Sequence, residues 1–234
     1  MEGVNRVAGY VYEAMIKTEG LCKWYHSHSS HKVSAVQDVT LSIAKNSFTV
    51  FNGPSGSGKT TLLNIIGTLD RPSAGDVFIN GNNVTQFSDI ALSGLRREKI
   101  GFIFQDFHLI PNLFSWENVS YPLVPLGISA RKRHERAKTL LEKMGLGDRI
   151  DHTPEELSGG QQQRVAIARA LVNHPEIIIA DEPTSNVDEE TGEQILSLLK
   201  ELKDNGATIL VATHDTAFEK LADVVFKMKN GRIV

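Results

Sequence analysis

Apolar residues along the chain fall into two patterns, short uninterrupted runs and looser stripes. Together they predict a mixed α/β fold. Residues 48–51, 100–104, 177–180 and 208–212 are nearly continuous apolar runs, which predict strands covered on both faces. Stripes of helical period predict a helix over 60–66, with Leu62, Leu63 and Ile66 inward. A second runs over 162–172, with Val165, Ile167, Ala168 and Leu171 inward. Residues 129–144 read as a strongly charged helix turning Leu140, Leu141 and Met144 to the core. Residues 14–23 and 36–44 read as strands preceding the one at 48–51, and 76–81 as a short strand closed by Asn80 and Gly81. Residues 224–228, then Asn230, Gly231, Ile233 and Val234, carry a hairpin signal. Val4, Val7, Ala8 and Val11 recur at helical spacing, but a frayed tail accounts better for residues 1–13. Residues 14–234 are therefore expected to form one domain behind an N-terminal extension. Its α/β core would comprise about 14–90 and 170–234, and a mainly helical lobe about 91–169.

Chemistry enters where the first run ends. Gly53, Pro54, Ser55, Gly56, Ser57, Gly58, Lys59 and Thr60 fit G-x-x-x-x-G-K-[ST], the phosphate-cradling loop of nucleotide-hydrolysing proteins. The strand before it and the helix after it are the context this motif requires. Glycines let the backbone wrap a phosphate chain, and a helix start aims N–H groups and partial positive charge at it. Lys59 is placed to reach the β- and γ-phosphates, and the Thr60 hydroxyl to take a Mg²⁺ position. Thr61 continues the cradle into the helix.

A second anion cradle lies about a hundred residues downstream. Leu157, Ser158, Gly159, Gly160 and Gln161 open the helix at 162–172, combining unhindered N–H groups, a hydroxyl and a helix dipole. The run at 177–180 ends in Asp181 and Glu182. Two carboxylates at a strand's end suit one Mg²⁺ contact and one water-activating base. Ser185 to Asp188 follow as a turn. The run at 208–212 delivers Thr213, His214 and Asp215, where a histidine can hydrogen-bond a γ-phosphate. The run at 100–104 delivers Gln105 to the end where ligands bind in such sheets. Beyond it, Phe107, Leu109, Ile110, Leu113, Phe114 and Trp116 load one segment with large apolar groups, divided between core packing and a docking surface.

Other polar clusters change the picture less. Tyr25 suits either base stacking or a strand-end core position, and these readings balance. His26, His28 and His31 have metal-like spacing but lie in a serine-rich stretch without cysteine or carboxylate, so a solvated loop is expected. Arg131, Lys132, Arg133 and Arg136 read as a solvated helix face rather than a nucleic-acid contact. The net charge of −3 supplies no basic field to recruit nucleic acid. The single cysteine, Cys22, fits a reducing compartment. No apolar run approaches the ~20 residues that span a bilayer, and the N-terminus lacks a signal-peptide pattern, so a cytosolic protein is expected.

The phosphate loop, Gln105, Leu157 to Gln161, residues 177–182, Asp188 and His214 occur in the order seen in ATP-binding-cassette (ABC) transporter ATPase subunits. The chain resembles that family from about residue 16 onward. Phe104 to Pro111, Glu117 to Val119, Pro122 and Leu123, with Gln161, Gln162 and Gln163 before Arg164, resemble the lipoprotein-releasing and macrolide-exporter subgroup. Asn52 departs from a usually apolar position, and Ser115 with Trp116 replaces a common Thr-Val pair. The resemblance implies a P-loop NTPase fold, with a mixed β-sheet core and an inserted helical subdomain. It implies ATP and Mg²⁺ as cofactors, Tyr25 as the adenine-stacking aromatic, and Gln105 as the link between Mg²⁺, attacking water and permease. It further implies Glu182 as general base, His214 as γ-phosphate switch, and Asp188 in a loop crossing a dimer interface. The implied partners are a second copy of the subunit, sandwiching ATP, and integral membrane permease subunits that hold the protein at the inner face of the cell membrane. A relative that signals mechanically across the membrane without transport shares these motifs. Soluble repair or translation ATPases would need coiled-coil arms, zinc cysteines or tandem cassettes, which this sequence lacks.

Overall fold

The computed structural model describes residues 14–26 and 32–234, together with strands β1 (Asn5–Val7) and β2 (Tyr10–Tyr12). These two pair antiparallel, Asn5 opposite Tyr12 and Val7 opposite Tyr10. Val7 and Val11 thus lie in strands rather than in a helix or a frayed tail, because β-branched and aromatic residues also suit strand pairing, while Val4 and Ala8 lie outside the described residues. The histidine cluster rests on His28 and His31, which lie outside the described residues.

The chain then runs through β3 (Ala14–His26) and β4 (Lys32–Ala44) into β5 (Phe48–Asn52) and α1 (Lys59–Ile66). β6 (Ala74–Ile79) and β7 (Asn82–Asn83) follow as a hairpin turned by Asn80 and Gly81, at φ 50° and 75°, as a mirror-image type I turn requires. Next come α2 (Asp89–Lys99), β8 (Ile100–Ile103), α3 (Ser115–Ser120), α4 (Ala130–Lys143) and α5 (Gly159–Leu171). The last third holds β9 (Ile177–Asp181), α6 (Glu189–Asp204), β10 (Thr208–Thr213), α7 (Thr216–Glu219), β11 (Val224–Lys229) and β12 (Arg232–Ile233). The C-terminal hairpin forms as expected, Met228 opposite Ile233.

Two sheets result. One is six-stranded, in the order β12-β11-β5-β10-β9-β8, parallel except for β12. The other is four-stranded and antiparallel, β4-β3-β6-β7. The continuous apolar runs are explained by the six-stranded sheet being covered on both faces. Val50, Ile178, Ala180, Ile209 and Val211 face a core shared with α5 and the helical segment. Their strand neighbours Phe51, Ile177, Ile179, Leu210 and Ala212 face a second core, with Leu62, Leu63 and Ile66 of α1 and the antiparallel sheet. Each such valine, isoleucine, leucine or phenylalanine side chain, fully buried, stabilises the fold by about 2 kcal/mol before the entropy of ordering it.

Within residues 91–169, β8 is the edge of the six-stranded sheet, whereas α3 and α4 pack on each other and on α5. The loop 107–114 is folded inward by Asn118, which is fully buried. Its Oδ1 accepts from Ile110 N, and its Nδ2 donates to the carbonyls of Ile110, Leu113 and Phe114. Leu109 and Trp116 therefore pack against the core, with Trp116 edge-on to His134 at 4.9 Å. The exposed apolar groups here are instead Phe114, Tyr121, Val124 and Leu126. On α4, Ala137 and Leu141 are buried, while Arg131 is solvated and paired to Glu135.

Candidate nucleotide site

Strands β5, β10, β9 and β8 are neighbours and parallel, so their C-terminal ends reach one edge of the sheet together. That edge receives the 53–60 loop from β5, Thr213 and His214 from β10, Asp181 and Glu182 from β9, and Gln105 from beyond β8. Parallel topology, not sequence proximity, assembles the site.

The loop's form depends on its glycines at two positions. A Cβ on Gly58, at φ 101°, would lie 2.2 Å from Ala35 O; one on Gly53 would lie 2.3 Å from Met228 O. Neither position tolerates a side chain, so the loop seats directly on β4 and β11. The C-terminal hairpin adds a backbone bond, Gly231 N donating to Ser57 O at 2.9 Å. Lys59, buried, folds back over the loop and donates to Gly53 O at 2.6 Å and Pro54 O at 3.3 Å. Its ammonium lies 3.8 Å from Glu182 Oε1.

Glu182 itself sits at φ 44°, a left-handed conformation that costs a non-glycine residue about 1–3 kcal/mol. Its amide donates to Ala212 O at 2.8 Å, so β10 holds the turn. Both carboxylate oxygens are aimed: Thr213 Oγ1 donates to Oε2 at 3.2 Å, and His214 Nδ1 lies 3.1 Å from Oε1. Thr213 is a site residue the sequence reading noted only as the neighbour of His214. The threonine is fully buried, whereas the histidine ring is mostly exposed.

Asp181 carries the clearest sign of a cation. Burial raises its carboxyl above the usual range, against the lowering effect of a Thr60 hydroxyl hydrogen bond; Glu182's charge raises it further, and Lys59's lowers it. Its Oδ1 is buried with no hydrogen-bond partner. A buried, partnerless carboxylate oxygen beside a hydroxyl is an oxygen donor set that suits Mg²⁺. Gln105 is exposed, and its carbonyl accepts from Asn186 Nδ2 at 2.9 Å. Asn186 thus ties the strand-end glutamine to the turn before α6. The sequence reading takes 185–188 as a turn and gives Asn186 no role of its own.

The second cradle is built differently. Ser158 Oγ accepts from Gln161 N, and Ser158 N donates to Gln161 Oε1, a reciprocal cap on α5. The helix begins at Gly159 rather than Gln162. Gly159 and Gly160 lie against the turn after β9: a Cβ on Gly159 would be 3.2 Å from Asn186 O, and one on Gly160 3.5 Å from Asp188 Oδ2. Asp188 caps α6, accepting from Thr191 N at 2.8 Å and Thr191 Oγ1 at 3.0 Å. Those bonds hold its carboxyl below the usual range. Among the described residues, no hydrogen bond joins 157–161 to the 53–60 loop.

Tyr25, next to last in β3, is 45% exposed, which removes the core reading. Its hydroxyl donates to Asp70 Oδ2 at 2.9 Å, with the Thr61 hydroxyl also in hydrogen-bonding reach. The aromatic therefore stands beside the first turn of α1. Asn52 donates to Glu219 Oε1 at 2.6 Å, which gives this polar residue a partner in α7.

The chain matches the ABC transporter family over residues 36–185. It is 48% identical over 202 residues to an uncharacterized ABC transporter ATP-binding protein of Thermotoga maritima, covering 86% of each chain. It is 45% identical over 221 residues to the macrolide export ATP-binding/permease protein MacB 1 of Yersinia pestis, covering 94% of this chain and 34% of that one. It therefore spans about a third of that relative's length. A solved structure titled as a dimeric, post-hydrolysis state of the ATP-binding cassette MJ0796 bound to ADP and Pi superposes with a TM-score of 0.89 at 43% identity. The match covers 94% of this chain and 96% of that one.

Proposed function

Because the chain belongs to the ABC transporter family and is an ABC ATPase, we propose that it drives a membrane permease of the macrolide-export or lipoprotein-releasing kind. Two copies close around ATP, and hydrolysis releases them. One observation carries this reading: the chain holds two anion cradles, and the cradle at 157–161 is bonded to itself and packed on the 186–191 turn. A cradle that, among the described residues, makes no hydrogen bond to its own phosphate loop finds its phosphate in a second copy, across a contact that Asp188 lines.

In this reading residues 53–60 wrap the phosphates, with Lys59 supplying the point charge and Thr61 extending the cradle. Tyr25 stacks on adenine. Thr60, Asp181 and Gln105 would hold Mg²⁺, which would neutralise charge on the transferred phosphoryl group. Glu182 takes the proton of the attacking water, its two oxygens steered by Thr213 and His214. His214 in turn reaches the γ-phosphate. Leu157, Ser158, Gly159, Gly160 and Gln161 complete the partner copy's site.

The permease docks on a groove of about 420 Å³ between α2 and the helical segment, lined by Arg96, Arg97, Phe104, Tyr121, Pro125 and Arg169 among others. Among the described residues, no carboxylate lines it. Arg169 donates to the carbonyls of Phe107 and His108, and burial lowers its pKa to about 10. The groove thus adjoins the segment that follows Gln105. Among the described residues, no helix is long and apolar enough to cross a membrane, and the permease holds this subunit at the membrane's inner face.

The test is Glu182→Gln. Glutamine keeps the shape of glutamate and cannot take the water's proton, so Mg-ATP binding persists while hydrolysis falls by about two to four orders of magnitude. The variant should elute as an ATP-dependent dimer in size exclusion. Adding Ser158→Arg should return it to a monomer that still binds ATP. A monomer at saturating Mg-ATP in Glu182→Gln, or a dimer indifferent to Ser158→Arg, would overturn the reading.

A further inference from the structure

Tyr25 does not hang free at the end of β3; its ring is fixed on two sides. Lys23, two residues earlier on the same strand face, places its Nζ 5.0 Å from the ring centroid. The same Nζ donates to Asp70 Oδ1 at 2.7 Å and to Arg71 O at 2.7 Å. Asp70 Oδ2 then accepts from the Tyr25 hydroxyl at 2.9 Å. One carboxylate thus holds both the phenol and the cation lying over it.

That carboxylate belongs to the exit of α1. Asp70 N donates to Asn64 O at 3.2 Å, Leu69 N to the same carbonyl at 2.8 Å, and Arg71 N closes on Asp70 Oδ1 at 2.7 Å. Burial acts to raise the Asp70 carboxyl, but the hydrogen bonds from Lys23, Tyr25 and the Arg71 amide outweigh it and hold it below the usual range. Asp70 is therefore charged throughout the neutral range. Burial, followed by the hydrogen bond and charge of Asp70, raises the phenol, which stays protonated and keeps donating. Neither Lys23 nor Asp70 was singled out by the sequence reading. They are 47 residues apart.

We infer that Lys23 and Asp70 are positioning residues for nucleobase binding: they lock the Tyr25 ring against α1 before a nucleotide arrives. The inference rests on the reading of Tyr25 as the base-stacking aromatic. Its physical content is pre-organisation. An exposed tyrosine rotates about two side-chain bonds and loses that freedom when it stacks. A ring tied at its hydroxyl and covered by a cation has already lost it, so the cost is transferred from binding to folding. The anchor also joins the base contact to the phosphate-loop helix, so that base and triphosphate are received on one rigid unit.

The experiment measures KM and kcat for ATP, with inorganic tripolyphosphate as a competitor that has no base. Tyr25→Ala is expected to raise KM about tenfold, the scale of one base–aromatic stack. Asp70→Asn, Lys23→Met and Tyr25→Phe are each expected to raise KM about threefold with kcat unchanged. In a Tyr25→Ala background, Asp70→Asn and Lys23→Met should add nothing, and tripolyphosphate inhibition should be constant throughout. If the anchor variants keep the wild-type KM while Tyr25→Ala raises it, the stacking reading stands and the positioning inference falls. If Tyr25→Ala leaves KM unchanged, both fall. A rise that persists in the Tyr25→Ala background, or that also weakens tripolyphosphate, assigns the anchor a general structural role and overturns the inference. Tyr25→Phe loses only the hydroxyl, so it reads the bond even if Asp70→Asn disturbs the fold.

Discussion

Helix α1 starts at Gly58, in the left-handed region at φ 101°, and no side chain caps it. Helix α5 is capped by Ser158, extended at φ −65° and ψ 162°, and closes on itself through the reciprocal Ser158–Gln161 bonds. Both are helix starts rich in glycine, and both offer N–H groups and a dipole to an anion. The difference lies in who satisfies those groups. In α1 they are left to the phosphates, and the nearby Lys59 rests on backbone carbonyls. In α5 the serine oxygen accepts one amide, yet its hydroxyl proton remains available to donate. In the proposed function, the first is the larger part of a receptor that depends on its ligand, and the second is a stable surface that can wait for another copy's ligand. A cradle used across two subunits must hold its shape when they are apart.

Lys59→Ala strikes the first cradle hardest. Hydrolysis should fall on the order of a thousandfold and nucleotide binding should weaken strongly, because the phosphates lose their point charge in a dry site. Wild-type turnover would break the comparison outright. Asp181→Asn separates function from stability at the same cradle. A carboxyl whose native pKa is raised binds its proton more tightly folded than unfolded, so its charge destabilises the fold above the native pKa, and the cost fades as pH falls through it. The variant should therefore melt higher than wild type near neutral pH in metal-free buffer, with the gap closing on acidification, while losing Mg²⁺-dependent hydrolysis. A lower melting temperature would show that Asp181 serves the fold and not a cation. The smallest effect belongs to the second cradle. Ser158→Ala removes a helix cap worth about 1 kcal/mol and should lower the melting temperature by about 2–4 °C. ATP affinity of the isolated subunit should not change. A large loss of that affinity would mean that the two cradles meet within one chain.

Legibility followed the same division. The strands that deliver Gly53, Gln105, Asp181 and His214 stood out because a sheet covered on both faces needs uninterrupted apolar runs. The 53–60 loop stood out because its glycines answer to backbone sterics. Helix α6 went unread: its start was taken as a turn, and within a charged segment only Ile195, Leu199 and Thr191 are buried. Helix α2 likewise buries only Leu92. Leu109 and Trp116 were weighed for docking, but the single amide of Asn118 folds their loop inward, and no spacing rule announces that. The Asp70 anchor of Tyr25 was equally silent, since a turn aspartate acquires a partner only once β3 has been laid beside α1.

The contacts of Gly53 and Ser57 with the C-terminal hairpin also order events during synthesis. The phosphate loop leaves the ribosome first, and Met228 and Gly231, which seat it, are made well after it. At ordinary elongation rates the interval is on the order of ten seconds or more. Throughout it the nascent chain has the loop's sequence without its floor.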